Sequence, residues 1–323
     1  MNGTVGFTRQ IKHLKKRIGY LFPFPLHTGT DGAGMVVQVG PGVSKVKIGD
    51  RILFQGWTDN KRSSFQEYTV VDVDLCAKIP DTLSFLEAAA LPLPLITAAF
   101  GLALPYPAQP TPSAAAKDFK FPPRGGAGLT PFWRTEAKGS CAGQAILILG
   151  GSSSVGQLAI QIAHHLGFSD IVTTASITNA EHLTSLGATT VLDRSTTFDP
   201  NPNLPKNLNI IFDTVSCATQ SHIHHLAPGG KLISIGTISP ELGSMGVSTY
   251  GSAHYYSEYG KELFGAVEGL LNEGVLRPLG VEKLGGGLGS VPDGLGRLQR
   301  GEAGGMRGRL VVDPSETGMR KDE

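Results

Sequence analysis

The sequence has little of what marks several protein classes. Three cysteines, Cys76, Cys141 and Cys217, stand 65 and 76 residues apart in a chain of 323. That odd, scattered set supports neither a disulfide framework nor a zinc ribbon, and it reads as reduced thiols in a cytoplasmic protein. Net charge is nearly absent, with 28 Lys+Arg against 27 Asp+Glu. No global field exists to hold a polyanion, so no nucleic-acid partner is expected. No uninterrupted apolar run reaches the roughly 18 residues of a membrane-spanning helix, so no membrane partner is expected either. What the chain does have is 40% hydrophobic residues, enough for a sizeable core divided between two domains, together with 43 glycines and 21 prolines that imply many turns.

The first 30 residues carry Arg9, Lys12, Lys15, Lys16 and Arg17 but no Asp or Glu. Ile11, Leu14, Ile18 and Leu21 fall on one side of a 3.6-residue period, which predicts a basic amphipathic helix. A solvated terminal helix is the plain reading. A mitochondrial presequence or a membrane-surface helix is the alternative.

From 31 to 80 apolar residues come in short bursts, at 35–39, 51–54 and 67–71, separated by glycine-rich or polar turns. This predicts a β-rich region. Ser84 with Glu87 three residues on predicts a capped helix, followed by a second apolar stretch over 91–104. Seven prolines and Gly125-Gly126-Ala127-Gly128 then crowd 105–131, too many breakers for a regular element. A linker, or a lid lining a pocket, is expected there. Beyond it the pattern alternates: strand 145–149, helix about 154–166, strand 171–175, helix about 179–186, strand 190–192, strand 209–213, helix about 219–226, strand 231–235. Successive βαβ units of this spacing predict an α/β fold with a doubly wound parallel sheet. A helix near 258–271 and a closing strand over 309–312 complete the reading.

The most informative stretch is Ala145 to Leu149, Gly150-Gly151-Ser152-Ser153-Ser154-Val155-Gly156 and the apolar residues after it. A buried strand, a turn of small residues and a helix form the context that dinucleotide binding requires. Gly151, Ser153 and Gly156 would let the backbone approach a pyrophosphate, while Ser154 and Val155 open a helix whose bare N–H groups point at it. Ser153 replaces the middle glycine of G-x-G-x-x-G. About 20 residues on, where NAD-selective sites place an acidic residue, the chain reads Thr174-Ala175-Ser176-Ile177-Thr178-Asn179. Two like charges about 4 Å apart repel by roughly 4 kcal/mol at an effective dielectric near 20, so the missing carboxylate admits a 2′-phosphate. Ser176 and Asn179 offer hydrogen bonds, and Arg194 offers a positive charge unless it pairs with Asp193. NADP is expected ahead of NAD.

These residues resemble the medium-chain dehydrogenase/reductase superfamily. His27-Thr-Gly-Thr-Asp-Gly-Ala-Gly34, Val39-Gly-Pro-Gly-Val43, Val46-Lys-Ile-Gly-Asp-Arg51, Phe65-Gln-Glu-Tyr68, Ile79-Pro-Asp81 and Leu91-Pro92 are similar to its GroES-like catalytic domain. Gly150 to Gly156, Thr173 to Ser176 and the tail Gly285-Gly-Gly-Leu with Leu310-Val-Val312 are similar to the zinc-independent quinone oxidoreductase branch and its fungal enoyl-reductase-like members. The resemblance covers about 26–313. It implies a Rossmann sheet plus a partial GroES-like β-rich domain, organised as 1–104 (completed by 275–323), a linker or lid over 105–140, and a nucleotide-binding domain over 141–274.

The implied activity is hydride transfer from NADPH to an enone, enoyl or quinone-like small molecule in the cleft between the two domains. Zinc members carry His where this chain has Thr30, and a threonine hydroxyl is a poor zinc ligand, so no metal is expected. Thr97 matches a position beside the nicotinamide, and Asp31 one that holds the cleft. The Gly29-Thr-Asp31 motif arrives after only 28 residues, so the strands that open the domain in relatives are not recognised. A protein that binds NADP(H) without turnover is the alternative. A homodimer, paired through the strand near 232–235, is a further expectation. Tyr255, Tyr256 and Tyr259 are candidate proton donors, more readily read as packing. His222, His224 and His225 read as surface histidines rather than a metal cluster.

Overall fold

The fold was analysed in a computed structural model, which describes residues 3–6, 28–118, 124–195, 198, 204–205 and 207–318, with the backbone alone at 3–6, 243–245 and 307. The basic amphipathic segment lies mostly at 7–27, outside the described residues. Two six-stranded sheets organise the chain. The first is formed by β1 (Gly3–Gly6), β2 (Asp31–Met35), β3 (Arg51–Gln55) and β4 (Cys76–Lys78). These are joined by two strands from the far end of the chain, β11 (Val281–Leu284) and β12 (Arg309–Val312), in the order β11-β12-β1-β2-β3-β4.

Two helices follow β4. The first, α1 (Phe85–Ala89), is held by a reciprocal cap in which Ser84 Oγ accepts from Glu87 N and the Glu87 carboxylate accepts from Ser84 N. The second, α2 (Pro92–Ala103), is buried along most of its length.

The second sheet contains β5 (Ala145–Leu149), β6 (Asp170–Ala175), β7 (Thr190–Asp193), β8 (Leu208–Asp213), β9 (Leu226–Ser234) and β10 (Gly246–Ser248). All its pairings are parallel, in the order β10-β9-β8-β5-β6-β7. Five consecutive buried residues in β5, Ala-Ile-Leu-Ile-Leu, identify a strand covered on both faces. The covering helices are α3 (Ser154–Leu166), α4 (Ala180–Ser185) and α5 (Gln220–Ile223), with α6 (Ser257–Asn272) and α7 (Val291–Arg300) leading back to the first sheet. The chain reverses its winding direction between β5 and β8, which opens a crevice at the carboxyl ends of those strands.

Several sequence expectations need correction. The strand expected over 35–39 ends at Met35; Val37 and Val39 are exposed because their backbone leaves the sheet. The burst at 67–71 is not a strand, since 61–70 turns back on itself with Val70 N–H donating to Lys61 O. The helix expected over about 219–226 closes after four residues, and Leu226 already belongs to β9. β9 is interior, paired with β8 and β10, so it has no free edge for dimer pairing; β10 is the edge on that side. His222 is buried rather than on the surface, its ring 4.0 Å from that of Phe198.

The described parts of the proline-rich stretch, 105–118 and 124–131, contain no helix or named strand, yet they are tied to the rest of the chain. Thr111 N–H and Ser113 N–H donate to Tyr255 O and His254 O, and the backbone of Gly125 to Leu129 lies against the end of α2.

Candidate nucleotide-binding site

At the end of β5 the chain must turn sharply into α3. Gly150 does so at φ +83°, a left-handed conformation that side chains disfavour. Gly156 lies so close to the returning strand that a Cβ would sit 2.3 Å from Gly150 O. Thr174 at the end of β6 ties the turn down, its Oγ1 accepting from Gly150 N at 3.0 Å and its carbonyl from Gly151 N at 3.0 Å.

The serine in place of the middle glycine has a definite task. Ser153 is the N-cap of α3, its hydroxyl accepting from Gly156 N at 2.9 Å. The same hydroxyl shares a 2.9 Å hydrogen bond with Thr214 Oγ1, which donates to Leu149 O at 2.8 Å. One of the orphan N–H groups at the helix start is thereby satisfied. Those of Ser154 and Val155 make no hydrogen bond with any described residue. They remain partly accessible and carry the positive end of the helix dipole.

The other expected positions surround this turn. Asn179 Nδ2 donates to Ser152 Oγ at 2.9 Å, fastening the end of β6 to the turn. Ser176 follows β6, its hydroxyl 2.9 Å from Thr178 Oγ1. Arg194 N–H donates to Ala175 O at 2.8 Å, which brings Arg194 alongside Ser176. Its exposed side chain makes no ion pair with a described residue. Asp193, the partner the sequence offered, instead accepts from Ser195 N at 2.9 Å and Ser195 Oγ at 2.5 Å, and these bonds hold its carboxyl below its ordinary pKa. Thr97 stands apart from this cluster: on α2, its hydroxyl donates to Leu93 O at 2.7 Å and Gly251 lies against it.

Sequence reading missed the groups that shape the loop after β8. Asp213 is buried and accepts from Val215 N at 3.2 Å, Cys217 N at 3.1 Å and Ala218 N at 2.9 Å. The tight loop leaves Ser216 at φ +59° and sets the Val215 side chain over Gly150. The signal was an aspartate ending a buried strand, Ile-Ile-Phe-Asp213. Cys217 beside it has its thiolate disfavoured, because desolvation and the Asp213 carboxylate push its thiol up to about 11.

Asp31 proves to be a structural hub. Its buried carboxylate accepts from Arg309 Nη2 and from Leu93 N, both at 2.6 Å, linking β2, β12 and the start of α2. Burial pushes its pKa up to about 6 against the pull of Arg309. Among the described residues no group of three His, Cys, Asp or Glu side chains is placed to hold a metal ion. No helix among them is long and apolar enough to cross a membrane.

A parallel sheet with a winding reversal, a capped strand–turn–helix at its carboxyl end and a second sheet across the crevice define a dinucleotide-binding α/β protein. Comparisons agree. A GroES-like domain model of alcohol dehydrogenases matches residues 6–81, and a zinc-binding dehydrogenase model matches 154–257. The dehydrogenase azaJ of Aspergillus niger is 30% identical over 311 residues, covering 87% of this chain and 82% of that protein. The 2-methylene-furan-3-one reductase of Solanum lycopersicum is 29% identical, covering 93% and 68%. With the dehydrogenase pigH of Monascus ruber, identity is 40% over 53% of this chain, and the match spans only 42% of that protein.

Two solved structures share the fold. The CurK enoyl reductase has a TM-score of 0.69 at 20% identity, covering 97% of this chain and 91% of the other. Mycobacterial Rv1454c complexed with NADPH has a TM-score of 0.67 at 20% identity, covering 97% and 90%. The chain belongs to the medium-chain dehydrogenase/reductase superfamily.

Proposed function

We propose that this chain is an NADPH-dependent oxidoreductase that reduces an activated C=C bond or a quinone-like acceptor without zinc. The observation that carries the reading is the turn from Gly150 to Gly156. It leaves the Ser154 and Val155 amides available to a diphosphate, with no carboxylate over 174–179 and with Arg194, which makes no ion pair with a described residue, at the same end. The turn, Ser176, Asn179 and Arg194 would hold the nucleotide, and Thr97 would flank its nicotinamide end. When bound, NADPH supplies the hydride; the protein's share is to fix the acceptor against it and exclude water.

Relatives named as reductases of a methylene-furanone and of alkenals support an electron-poor C=C as the substrate class. The zinc-free reading rests on Thr30 standing where zinc members carry His and on Asp31 being fully engaged by Arg309 and Leu93 N.

Fluorescence titration with both nicotinamides, followed by NADPH oxidation over a panel of enones and quinones in metal-free buffer, tests this reading. Tighter binding of NADPH than NADH, with turnover, is the expected result. No binding at millimolar cofactor would overturn it. Binding without turnover would identify a non-catalytic NADP(H)-binding protein.

A further inference from the structure

The end of β3 is tied to a backbone strip of the other sheet. Gln55, the last residue of β3, is buried, and both polar ends of its side chain meet that strip: Oε1 accepts from Ala253 N at 2.7 Å, and Nε2 donates to Gly251 O at 3.2 Å. The strip follows β10, so the two bonds join residues 196 and 198 positions apart. The backbone of Gln55 is held as well. Its carbonyl lies 3.2 Å from His254 Nε2, and the other ring nitrogen lies 3.0 Å from Ser113 Oγ.

The far side of the strip is pressed against α2. A Cβ on Gly251 would lie 2.0 Å from Thr97 Oγ1 and 2.8 Å from Thr97 Cα, so only bare backbone fits where the two meet. Thr97 and Leu93, one turn apart, are the two residues of α2 that stay partly accessible; the other ten are buried. The open face of α2 is therefore at Thr97, with Gly251 beside it. Gln55 on one side and α2 on the other leave the strip a single place to sit.

We propose that Gln55 is a positioning residue that clamps 251–253 from β3 and so fixes the wall of the cleft at Thr97, where the nicotinamide end of the cofactor would lie. The inference rests on the reductase reading above. A glutamine suits the task because one planar amide supplies an acceptor and a donor together. Without it Ala253 N and Gly251 O lose their partners in a buried place, and the strip is free to relax away from β3. The effect is confined to one end of the nucleotide. β10 and β7 are opposite edges of the parallel sheet, and the turn over 150–156, Ser176 and Arg194 lie at the ends of β5, β6 and β7.

The test compares NADPH with adenosine 2′,5′-bisphosphate, which carries the 2′-phosphate end without the nicotinamide, on the full chain. Gln55→Met keeps the volume of the side chain and removes both bonds. It should bind the bisphosphate as tightly as the wild type does and NADPH about tenfold more weakly, and a nicotinamide misplaced by about 1 Å should lower kcat toward an enone by about 100-fold. Gly251→Ala pushes the same strip from the α2 side and should show the same split. Equal NADPH affinity and kcat in Gln55→Met and the wild type would overturn the clamp. Parallel loss of both ligands in the two variants would overturn it too, since the strip would then support the whole fold rather than one end of the site. A wild type that binds neither ligand would instead overturn the reductase reading, and the clamp with it.

Discussion

Replacing Asp31 with asparagine preserves the shape of the side chain and removes its charge, leaving the Arg309 guanidinium buried without its ion-pair partner. Both side chains are almost wholly enclosed, at 0% and 7% exposure. Breaking such a pair from one side costs on the order of 3–5 kcal/mol. At about 2 °C per kcal/mol for a chain of this size, Asp31→Asn should lower Tm by roughly 6–10 °C. The pair is not worth that much as a pair. Burial outweighs Arg309 in setting the Asp31 carboxyl at about 6, so the charges are attracted less than they are dehydrated.

The double variant Asp31→Asn/Arg309→Met, with no stranded charge, should therefore lose less than the sum of its single variants, by at least about 2 kcal/mol. Asp31→Asn, which cannot titrate, should also remove this group's part of the pH dependence of stability. Urea unfolding of all four proteins from pH 4 to 8 decides the matter. A loss under about 1 kcal/mol in the single variant, or strict additivity in the double, would refute the reasoning.

Gly156→Val would place a side chain 2.3 Å from Gly150 O and should abolish NADPH binding in a fluorescence titration while lowering Tm. Arg194→Ala should weaken NADPH by about tenfold, the worth of one charged contact at a partly exposed site, and leave NADH unchanged; equal effects on both would deny Arg194 the 2′-phosphate. His222 is buried, and burial holds its pKa below the ordinary histidine value. The unfolded chain then binds the extra proton, so stability should fall as pH drops below about 6.5, and His222→Gln should remove that part of the slope in pH-dependent thermal unfolding.

Much of the parallel sheet was legible because its residues obey local rules. The unbroken apolar run over 145–149, the small-residue turn and the helix after it depend on neighbours in sequence. The helix over 154–166 emerged with its boundaries intact because Ser153 caps it. The short elements escaped for the converse reason. β4, β10 and β11 have three or four residues each and exist because partner strands satisfy their backbone groups. The expected strand at 67–71 had the right residues but no partner among the described strands.

The sequence by itself determined the nucleotide turn and the alternation of strands and helices, since both are written in residues a few positions apart. Tertiary structure alone decided that β9 is interior and that Asp31 is paired with Arg309 across 278 positions. Those relations are set by burial and charge between segments distant in the chain, and no local pattern of residues encodes which of them will be desolvated together.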